Sequence, residues 1–453
     1  MSDTFPSVPA AAHAAAAPLA PPPGAGRRDP ASAPPVPVSP SDIAVGVIIG
    51  RSSEFFDFFV FAIASVLVFP ARYFPFADPL AATLWSFAVF ALAFLARPLG
   101  TAFFTVIDRR HGKGAKLTLA LLILGTSTVG MGLVPSWDSI GPASIAILCL
   151  LRIGQGFALG GSWDGLAALL NMTAPRERRG FYAMVPQLGA PVGLIVASLL
   201  FAYLLSHLGQ ADFLDWGWRY PFFVAFAINV VALFARLRIV ATPEYAAAFE
   251  ARELEPTSFR AAFAQDGRTI LVGALVPLAS FALFHMVTVF PLSWVYLYTG
   301  ESPRSFLLIE AIAAGWGIVA IILSGPLADR IGHRRLLFRG AIAIAVFALL
   351  APLLLSGSKA GEAIYMTVGF IILGLNFGQS SGAVASLFQP RRRYTGSAIV
   401  ADLAWLFGAG FAPLTALALS SWLGLPAAGL YLLSGAIATM AALWFARRLA
   451  FQS

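Results

Sequence analysis

Long apolar stretches constrain the fold of this chain more than any other feature. A helix needs about 20 mostly apolar residues to cross a bilayer, and the sequence holds twelve such stretches. Only 11% of the 453 residues are charged, and the mean hydropathy is +0.80, whereas soluble domains carry about 25% charged residues. The sequence therefore predicts an all-α membrane protein with twelve transmembrane helices.

The predicted spans form two sets of six, separated by a polar stretch. The first set comprises residues 43–69, 81–104, 117–134, 143–166, 181–204 and 218–235. The second comprises residues 270–290, 306–323, 336–355, 363–388, 397–419 and 427–446. We accordingly predict a disordered Ala/Pro-rich tail (1–41), a six-helix bundle (42–236), a linker (237–268), a second six-helix bundle (269–446) and a short C-terminal tail (447–453).

The positions of the basic residues predict the orientation. If both termini are cytoplasmic, 23 of the 30 Lys and Arg residues lie on the cytoplasmic side, four lie outside and three lie within spans. Basic residues accumulate on cytoplasmic loops, so we predict cytoplasmic termini and a cytoplasmic linker. The same distribution explains the net charge of +8 without a nucleic-acid partner. The single cysteine, Cys149, excludes an intramolecular disulfide and a cysteine-built metal site.

The two halves carry matching loops. The stretch Asp108-Arg109-Arg110-His111-Gly112-Lys113 follows span two, and Gly325-Pro326-Leu327-Ala328-Asp329-Arg330-Ile331-Gly332-His333-Arg334 follows span eight. Asp108 and Asp329 lie 221 residues apart. Duplicated six-span units place a substrate site at their interface near the middle of the membrane. The sequence thus predicts two pseudo-repeats with a site between them.

Several motifs resemble one family. They are Glu54-Phe55-Phe56-Asp57-Phe58, Phe94-Leu95-Ala96-Arg97-Pro98-Leu99-Gly100, Arg152-Ile153-Gly154-Gln155-Gly156, Pro186-Gln187-Leu188-Gly189, Trp216-Gly217-Trp218-Arg219-Tyr220-Pro221-Phe222 and Arg393-Tyr394-Thr395-Gly396, together with the two loops above. In these motifs the chain resembles the metabolite:H+ symporter family of the major facilitator superfamily, whose members carry shikimate, 2-oxoglutarate, citrate-like acids, proline or betaine. The chain departs from the family at Ser162, where a glutamate is usual, and carries a carboxylate two residues later at Asp164.

The resemblance implies a secondary transporter of the major facilitator fold, not an enzyme. We expect proton-coupled uptake of a small organic acid by alternating access, driven by the proton gradient with no cofactor or metal. The expected partners are the carboxylate substrate, the proton and the lipid bilayer, with the protein a monomer in the inner membrane of a bacterium. Two alternatives remain open: symport of a zwitterionic osmolyte such as a betaine, and a nutrient sensor without net flux.

Charged residues within span one are the first candidates for the mechanism. Ionisable groups at membrane depth mark pathways or proton relays, and Arg51, Glu54 and Asp57 follow one another at intervals of three on one broad helix face. We predict that Asp57 and Glu54 serve proton coupling, with Asp57 preferred because Arg51 is close enough to pair with Glu54. Arg152 in span four is the cation expected to assist them. A structural ion pair is the alternative interpretation.

Other polar residues within spans are candidates for the substrate. Arginine binds carboxylates through a bidentate fork, and amide or imidazole groups supply further hydrogen bonds. The predicted substrate-binding residues are Arg97, Arg152, Gln155, Gln187, His285, Asn376 and Gln379. For Arg97 the alternative is a side chain that reaches the membrane surface, and for His285 it is a structural hydrogen bond. Glu310 and Asp402 lie near span ends, where they could reach headgroup water.

The matching loops are predicted to gate the cytoplasmic side. Their aspartates are expected to cap and latch helices between conformations, and their basic residues to fix topology. The predicted gating residues are Asp108, Arg109, Gly112, Lys113, Gly325, Asp329, Arg330, Gly332 and Arg334.

Overall fold

The computed structural model describes residues 40–162, 170, 174–240, 256–355 and 358–445, all within one compact unit of the chain. The predictions for residues 1–39 of the N-terminal tail, for residues 163–166 of span four with Asp164, for residues 241–255 of the linker and for the tail at 447–453 fall outside these residues. Every regular element of the described ranges is helical.

Helices of the first half overlap the predicted spans, although α3 covers two spans and a 3-10 turn interrupts span five. They are α1 (Pro40–Leu67), α2 (Phe69–Tyr73), α3 (Pro79–Leu133), α4 (Trp137–Ile140), α5 (Pro142–Gly161), α6 (Arg179–Met184), α7 (Gly189–His207), α8 (Gln210–Asp215) and α9 (Tyr220–Val240). Short 3-10 turns at Arg176–Arg178, Val185–Leu188 and Gly217–Arg219 connect some of them.

Helices of the second half are more often interrupted. They are α10 (Phe259–Leu275), α11 (Leu278–Met286), α12 (Phe290–Tyr298), α13 (Pro303–Ile331), α14 (His333–Leu354), α15 (Lys359–Ala385), α16 (Pro390–Ala404), α17 (Ala412–Leu423) and α18 (Pro426–Phe445), with a π-helical turn at Trp405–Gly410 between α16 and α17. The predicted boundaries at 236 and 268 fall inside α9 and α10.

Ten helices in the described ranges are long and apolar enough to cross a membrane. One of them, α3, has 55 residues and joins predicted spans two and three. Its regular geometry is broken at Gly112, where φ is +82°, a conformation that only glycine adopts without strain. The matching Gly332 between α13 and α14 has φ +85°. Two of the three predicted gating glycines, Gly112 and Gly332, therefore adopt a backbone conformation with positive φ at matching turns.

Predicted spans seven and eleven are not single regular helices. Pro277 separates α10 from α11, and Pro291 lies in the first turn of α12. Pro413 likewise lies in the first turn of α17, just after the π-helical turn. Proline lacks a backbone N–H and collides with the preceding turn, which explains why these helices break where they do. The break at Pro277 and the π-helical turn at Trp405 border the cavities described below.

The two halves meet along several pairs of helices, among them α7 with α13, α6 with α13 and α15, α1 with α12, and α3 with α16 and α17. Between them lies an aromatic cluster that joins Phe55 of α1 to Phe284, Phe377 and Trp405 of the second half, with ring centroids 5.8–6.5 Å from Phe55. Aromatic packing of this kind closes the centre of the molecule.

Candidate functional site

Glu54 lies between two arginines. Its Oε2 is 2.6 Å from Nη1 of Arg51 and its Oε1 is 2.8 Å from Nη2 of Arg236. The pairing of Arg51 with Glu54 agrees with the predicted spacing on α1. Arg236, a basic residue at the predicted cytoplasmic end of span six, is buried in the first half with 3% exposure. It lies near the end of α9, and its side chain turns inward to the carboxylate.

Asp57 is buried in the first half and its carboxylate accepts hydrogen bonds only from neutral side chains among the described residues. Thr128 Oγ1 lies 2.8 Å from both carboxylate oxygens, Gln155 Nε2 lies 2.9 Å from Oδ1, and Asn229 Nδ2 lies 3.1 Å from Oδ2. A hydroxyl both donates and accepts, so Thr128 can satisfy the carboxyl group with or without a proton. The predicted coupling residue therefore has partners suited to both states.

Arg152 is fully buried and contacts Asp57 through an intermediate. Its Nη1 donates to Gln155 Oε1, whose amide nitrogen in turn donates to Asp57. The guanidinium also donates to the backbone oxygen of Phe90 and lies 3.8 Å from the ring centroid of Phe61. The structure thus brings three predicted residues together as a chain of hydrogen bonds, with Arg152 inside the first half.

Arg97 joins the two halves. Its Nε lies 2.7 Å from Oδ1 of Asp402, and the two side chains are 13% and 4% exposed. The Thr101 hydroxyl donates to the other oxygen of Asp402. Arg97 and Asp402 therefore form a buried pair across the interface, rather than reaching the membrane surface as the alternative interpretations had it.

Two small cavities lie beside this pair. One of about 30 Å³ is lined by Arg51, Glu54, Arg97 and the rings of Phe55, Phe58, Phe94 and Trp405. A second of about 60 Å³ is lined by Arg51, Arg97, Gln187, Trp405, Ser380 and Ser397. Arg51, Arg97 and Trp405 border both cavities. We call this pair of cavities the central site; because it holds only a few waters, the structure represents a closed state.

Gln187 and His285 each present an unsatisfied polar atom. Gln187 Oε1 and His285 Nε2 are buried and have no hydrogen-bond partner among the described residues. Gln187 lines the central site. His285 is stacked on Phe58 at 5.3 Å between ring centroids, and its Nδ1 lies 3.4 Å from Thr288 Oγ1. Gln187 therefore presents its amide oxygen to the central site, whereas His285 lines neither cavity.

Asn376 and Gln379 lie away from the central site. Asn376 Nδ2 donates to the backbone oxygen of Ile372 on its own helix, 2.9 Å away. Gln379 Nε2 donates to the backbone oxygen of Gly180 at 3.1 Å and to Ser324 Oγ at 2.9 Å. Neither residue lines the two cavities. Their expected contact with substrate therefore has no support from this closed state.

The predicted gating loops lie at one end of the bundle, which we call the signature end because Asp108 and Asp329 mark it. Asp108 accepts from Lys116 at 2.9 Å and from the Tyr394 hydroxyl at 3.0 Å, while Lys113 lies 4.0 Å away. Tyr394 belongs to the second half. This contact joins the halves at the signature end.

Asp329 of the second half makes the corresponding contact with the first half at the same end. Its carboxylate oxygens accept from the backbone N–H groups of Gly180 at 2.6 Å and Phe181 at 3.3 Å. A side chain at Gly325 would lie 2.8 Å from the Cα atom of Phe181, so glycine permits this close approach. Arg109 and Arg330 are exposed at the signature end, and Arg334 donates to the Leu443 backbone oxygen at 3.0 Å.

Sequence reasoning missed several members of these contacts. Arg236, Thr128, Asn229 and Tyr394 were not singled out as site residues. An asparagine within an apolar span is a visible signal for Asn229. Arg236 carried no such signal, since a basic residue at a span end usually faces water.

The geometry defines a membrane transporter with a closed central site between two helical halves, and the comparisons agree. Residues 47–413 match the family model of the Major Facilitator Superfamily. The chain is 36% identical to the inner membrane metabolite transport protein YhjE of Escherichia coli K12, over 92% of this chain and 96% of the relative. It is 30% identical to the shikimate transporter of the same organism, over 87% and 91%.

A solved structure shares the fold. The crystal structure of a D-xylose-proton symporter superposes with a TM-score of 0.69 at 17% identity, covering 91% of this chain and 98% of that protein. The chain therefore belongs to the Major Facilitator Superfamily, and the resemblance to its metabolite:H+ symporter members is confirmed. Because this family and these relatives transport rather than catalyse, the prediction of a transporter is also confirmed.

Proposed function

We propose that this protein is a proton-coupled symporter that takes up a small carboxylate across the bacterial inner membrane by alternating access. The observation that carries the proposal is the central site, where Arg51 and Arg97 border the same two cavities between the halves. Arginine forks match carboxylates, and each of these arginines already holds a carboxylate of the protein, Glu54 or Asp402. A substrate carboxylate would replace one of these partners.

Aromatic side chains shape the rest of the site. Phe55, Phe58, Phe94 and Trp405 line the smaller cavity, and Gln187 supplies an unsatisfied amide oxygen to the larger one. A ligand with one anionic end and a compact apolar body fits these surroundings. Uptake requires the halves to separate, because the closed cavities hold only a few waters.

Asp57 is the proposed proton carrier. It is 1% exposed, and neutral donors surround it. A buried carboxylate without a direct cation partner among the described residues is costly when charged, so release of its proton requires hydration. We propose that opening of the first half supplies that water, with Arg152 stabilising the charge through Gln155. Glu54 is the second candidate, although two arginines hold it as a carboxylate.

We also propose twelve spans with cytoplasmic termini, arranged as the two bundles and linker given above. The ten candidate helices include α3, whose 55 residues extend about 80 Å at 1.5 Å per residue and suffice for two passes. The remaining pass is α1, which has 28 residues but carries Arg51, Glu54 and Asp57. This topology places the signature end in the cytoplasm, and the monomer remains our working oligomeric state.

The test uses purified protein in proteoliposomes with a panel of mono-, di- and tricarboxylates, cyclic acids and betaines. We expect one carboxylate to accumulate when the outside is acidic and to carry protons inward. Asp57→Asn should abolish this accumulation but retain exchange of labelled for unlabelled substrate, because exchange needs no net proton movement. Asp212→Asn, an exposed carboxylate on α8, is the matched control and should behave as the wild type.

Accumulation that persists with an uncoupler, or in Asp57→Asn, would contradict proton coupling at this residue. Transport of a betaine alone would favour the osmolyte alternative. Folded protein that binds an acid without any flux would favour the sensor.

A further inference from the structure

A large cavity lies apart from the central site and shares no lining residue with it. It has a volume of about 550 Å³ and lies where the end of α13 turns into α14 beside the end of α18. Its walls include Arg334, Arg335, Arg339, Phe338 and Trp444. Among the described residues that line it, three are arginines and none is acidic. The cavity therefore concentrates positive charge.

The start of α14 adds to this positive charge. The helix begins after Gly332 with no side-chain cap and no acidic residue in its first turn. The first backbone N–H groups of a helix lack partners within the helix, and its dipole favours an anion at this end. The nearby Asp329 does not line the cavity; its oxygens accept from the backbone N–H groups of Gly180 and Phe181.

One arginine is held in position. Arg334 Nη2 donates to the backbone oxygen of Leu443 near the end of α18, at 3.0 Å. This bond links the two helix ends that form the cavity. Arg335 and Arg339 lie one turn apart on α14 and are exposed. Like charges at this spacing destabilise a helix, so an anion bound between the two arginines would reduce their repulsion.

In the proposed topology, on which this step rests, the cavity lies at the cytoplasmic surface of the membrane. Its helices α13, α14 and α18 are all candidate spans, and the cavity lies at their ends. Phe338 is 41% exposed and Trp444 is 55% exposed. Aromatic residues at span ends lie at the level of the headgroups, where they contact the upper parts of acyl chains. A ligand with a phosphate and an apolar portion matches both sets of side chains.

We propose that this cavity binds a phosphate group, supplied by the headgroup of an anionic phospholipid. Arginine forks bind phosphate oxygens, and basic pockets between spans on the cytoplasmic side suit anionic headgroups. Arg335 and Arg339 contact the phosphate, Arg334 fixes the wall, and Phe338 and Trp444 border the acyl chains. The site does not depend on which substrate the transporter carries.

The test is native mass spectrometry of the full-length protein with dihexanoyl-phosphatidylglycerol, dihexanoyl-phosphatidylcholine or inorganic phosphate as the probe. We expect phosphatidylglycerol to bind at least about tenfold more tightly than phosphatidylcholine. Arg335→Gln with Arg339→Gln should weaken it about thirtyfold, because each basic side chain near a membrane surface contributes about fivefold. Arg334 is left intact because it contacts Leu443.

The matched control is Arg260→Gln with Arg268→Gln, which removes two exposed arginines of α10. This control variant should change the affinity for phosphatidylglycerol by less than about twofold. Equal binding of the two lipids, or equal losses in both double variants, would overturn the proposal. If inorganic phosphate binds as tightly as phosphatidylglycerol, the claim that a lipid supplies the phosphate group is wrong. Thermal unfolding of each variant confirms that it is folded; if the double variant is not, Arg339→Gln alone replaces it with an expected loss of about fivefold.

Discussion

Replacing Asp402 by asparagine tests whether its pair with Arg97 holds the two halves together. The atoms lie 2.7 Å apart across the interface, and the side chains are 13% and 4% exposed. Removing one partner of a buried pair costs about 3–5 kcal/mol, because it leaves the other charge unpaired. Water reaches Arg97 once the halves separate there, so this cost falls on the closed state.

The expected shift of the equilibrium between the closed and open states is large. Each 1.4 kcal/mol changes an equilibrium constant about tenfold, so about 3–5 kcal/mol corresponds to a roughly 10²- to 10⁴-fold change. The hydroxyl of Thr101 still contacts residue 402 in the variant, which favours the lower limit. The closed population therefore falls steeply, and the central site becomes accessible from the signature end.

Access can be measured with one introduced cysteine. Ser380 is buried and lines the larger cavity, and Cys149 is the single native cysteine. In a Cys149→Ser background, Ser380→Cys should react slowly with a membrane-impermeant maleimide applied to inside-out vesicles. Asp402→Asn should accelerate this reaction at least about tenfold, since the rate follows the open population until that population saturates.

Two further variants test whether the unpaired charge of Arg97 causes the faster labelling. Arg97→Gln combined with Asp402→Asn removes both charges and should label more slowly than Asp402→Asn alone, because no unpaired charge remains. Asp266→Asn breaks an ion pair with Arg392 inside the second half, 3.2 Å long, and should leave labelling unchanged. Labelling of Asp402→Asn at the parent rate would refute a latching role for the pair, as would faster labelling of the double variant.

Two other predictions concern packing and the signature end. Gly100→Ala should lower the melting temperature in detergent, because its Cβ would collide with the backbone of Phe157 at a cost of about 1–3 kcal/mol. Gly114→Ala should leave the melting temperature unchanged, because the space around Gly114 is open. Equal melting temperatures of the two variants would contradict this prediction. Tyr394→Phe removes a hydroxyl that donates to Asp108 at 3.0 Å, so the same maleimide assay should show roughly tenfold faster labelling for a loss of about 1–2 kcal/mol. Unchanged labelling would show that this contact does not close the signature end.

Contacts within one helix were predictable from the sequence. The interval of three residues predicts that Arg51 reaches Glu54, and the structure places them 2.6 Å apart. The same interval relates Arg152 to Gln155, which also bond. Helical geometry alone fixes such neighbours. The broken span seven was less predictable, because Pro277 lies inside an otherwise continuous apolar stretch.

Contacts between distant helices were not predictable from a single sequence. Arg97 and Asp402 are 305 residues apart, and their meeting depends on which helix faces are apposed. For the same reason the sequence did not indicate that Gln379 contacts the backbone of Gly180 in the other half. A polar residue within a span indicates a structural or functional role, but helical periodicity does not identify the residue that it contacts on another helix.

Helix α1 is where substrate and proton binding can influence each other. Arg51 lines the central site between the halves, while Asp57, six residues along the same helix, bonds only to Thr128, Gln155 and Asn229 of the first half among the described residues. A carboxylate that pairs with Arg51 would loosen its contact with Glu54, and protonation of Asp57 would change its bonds to the surrounding helices. Both events act on the position of one rigid helix whose Phe55 contacts the second half. Since coupling requires that each ligand bind the two conformations unequally, a helix held at both points provides that difference without direct contact between substrate and proton.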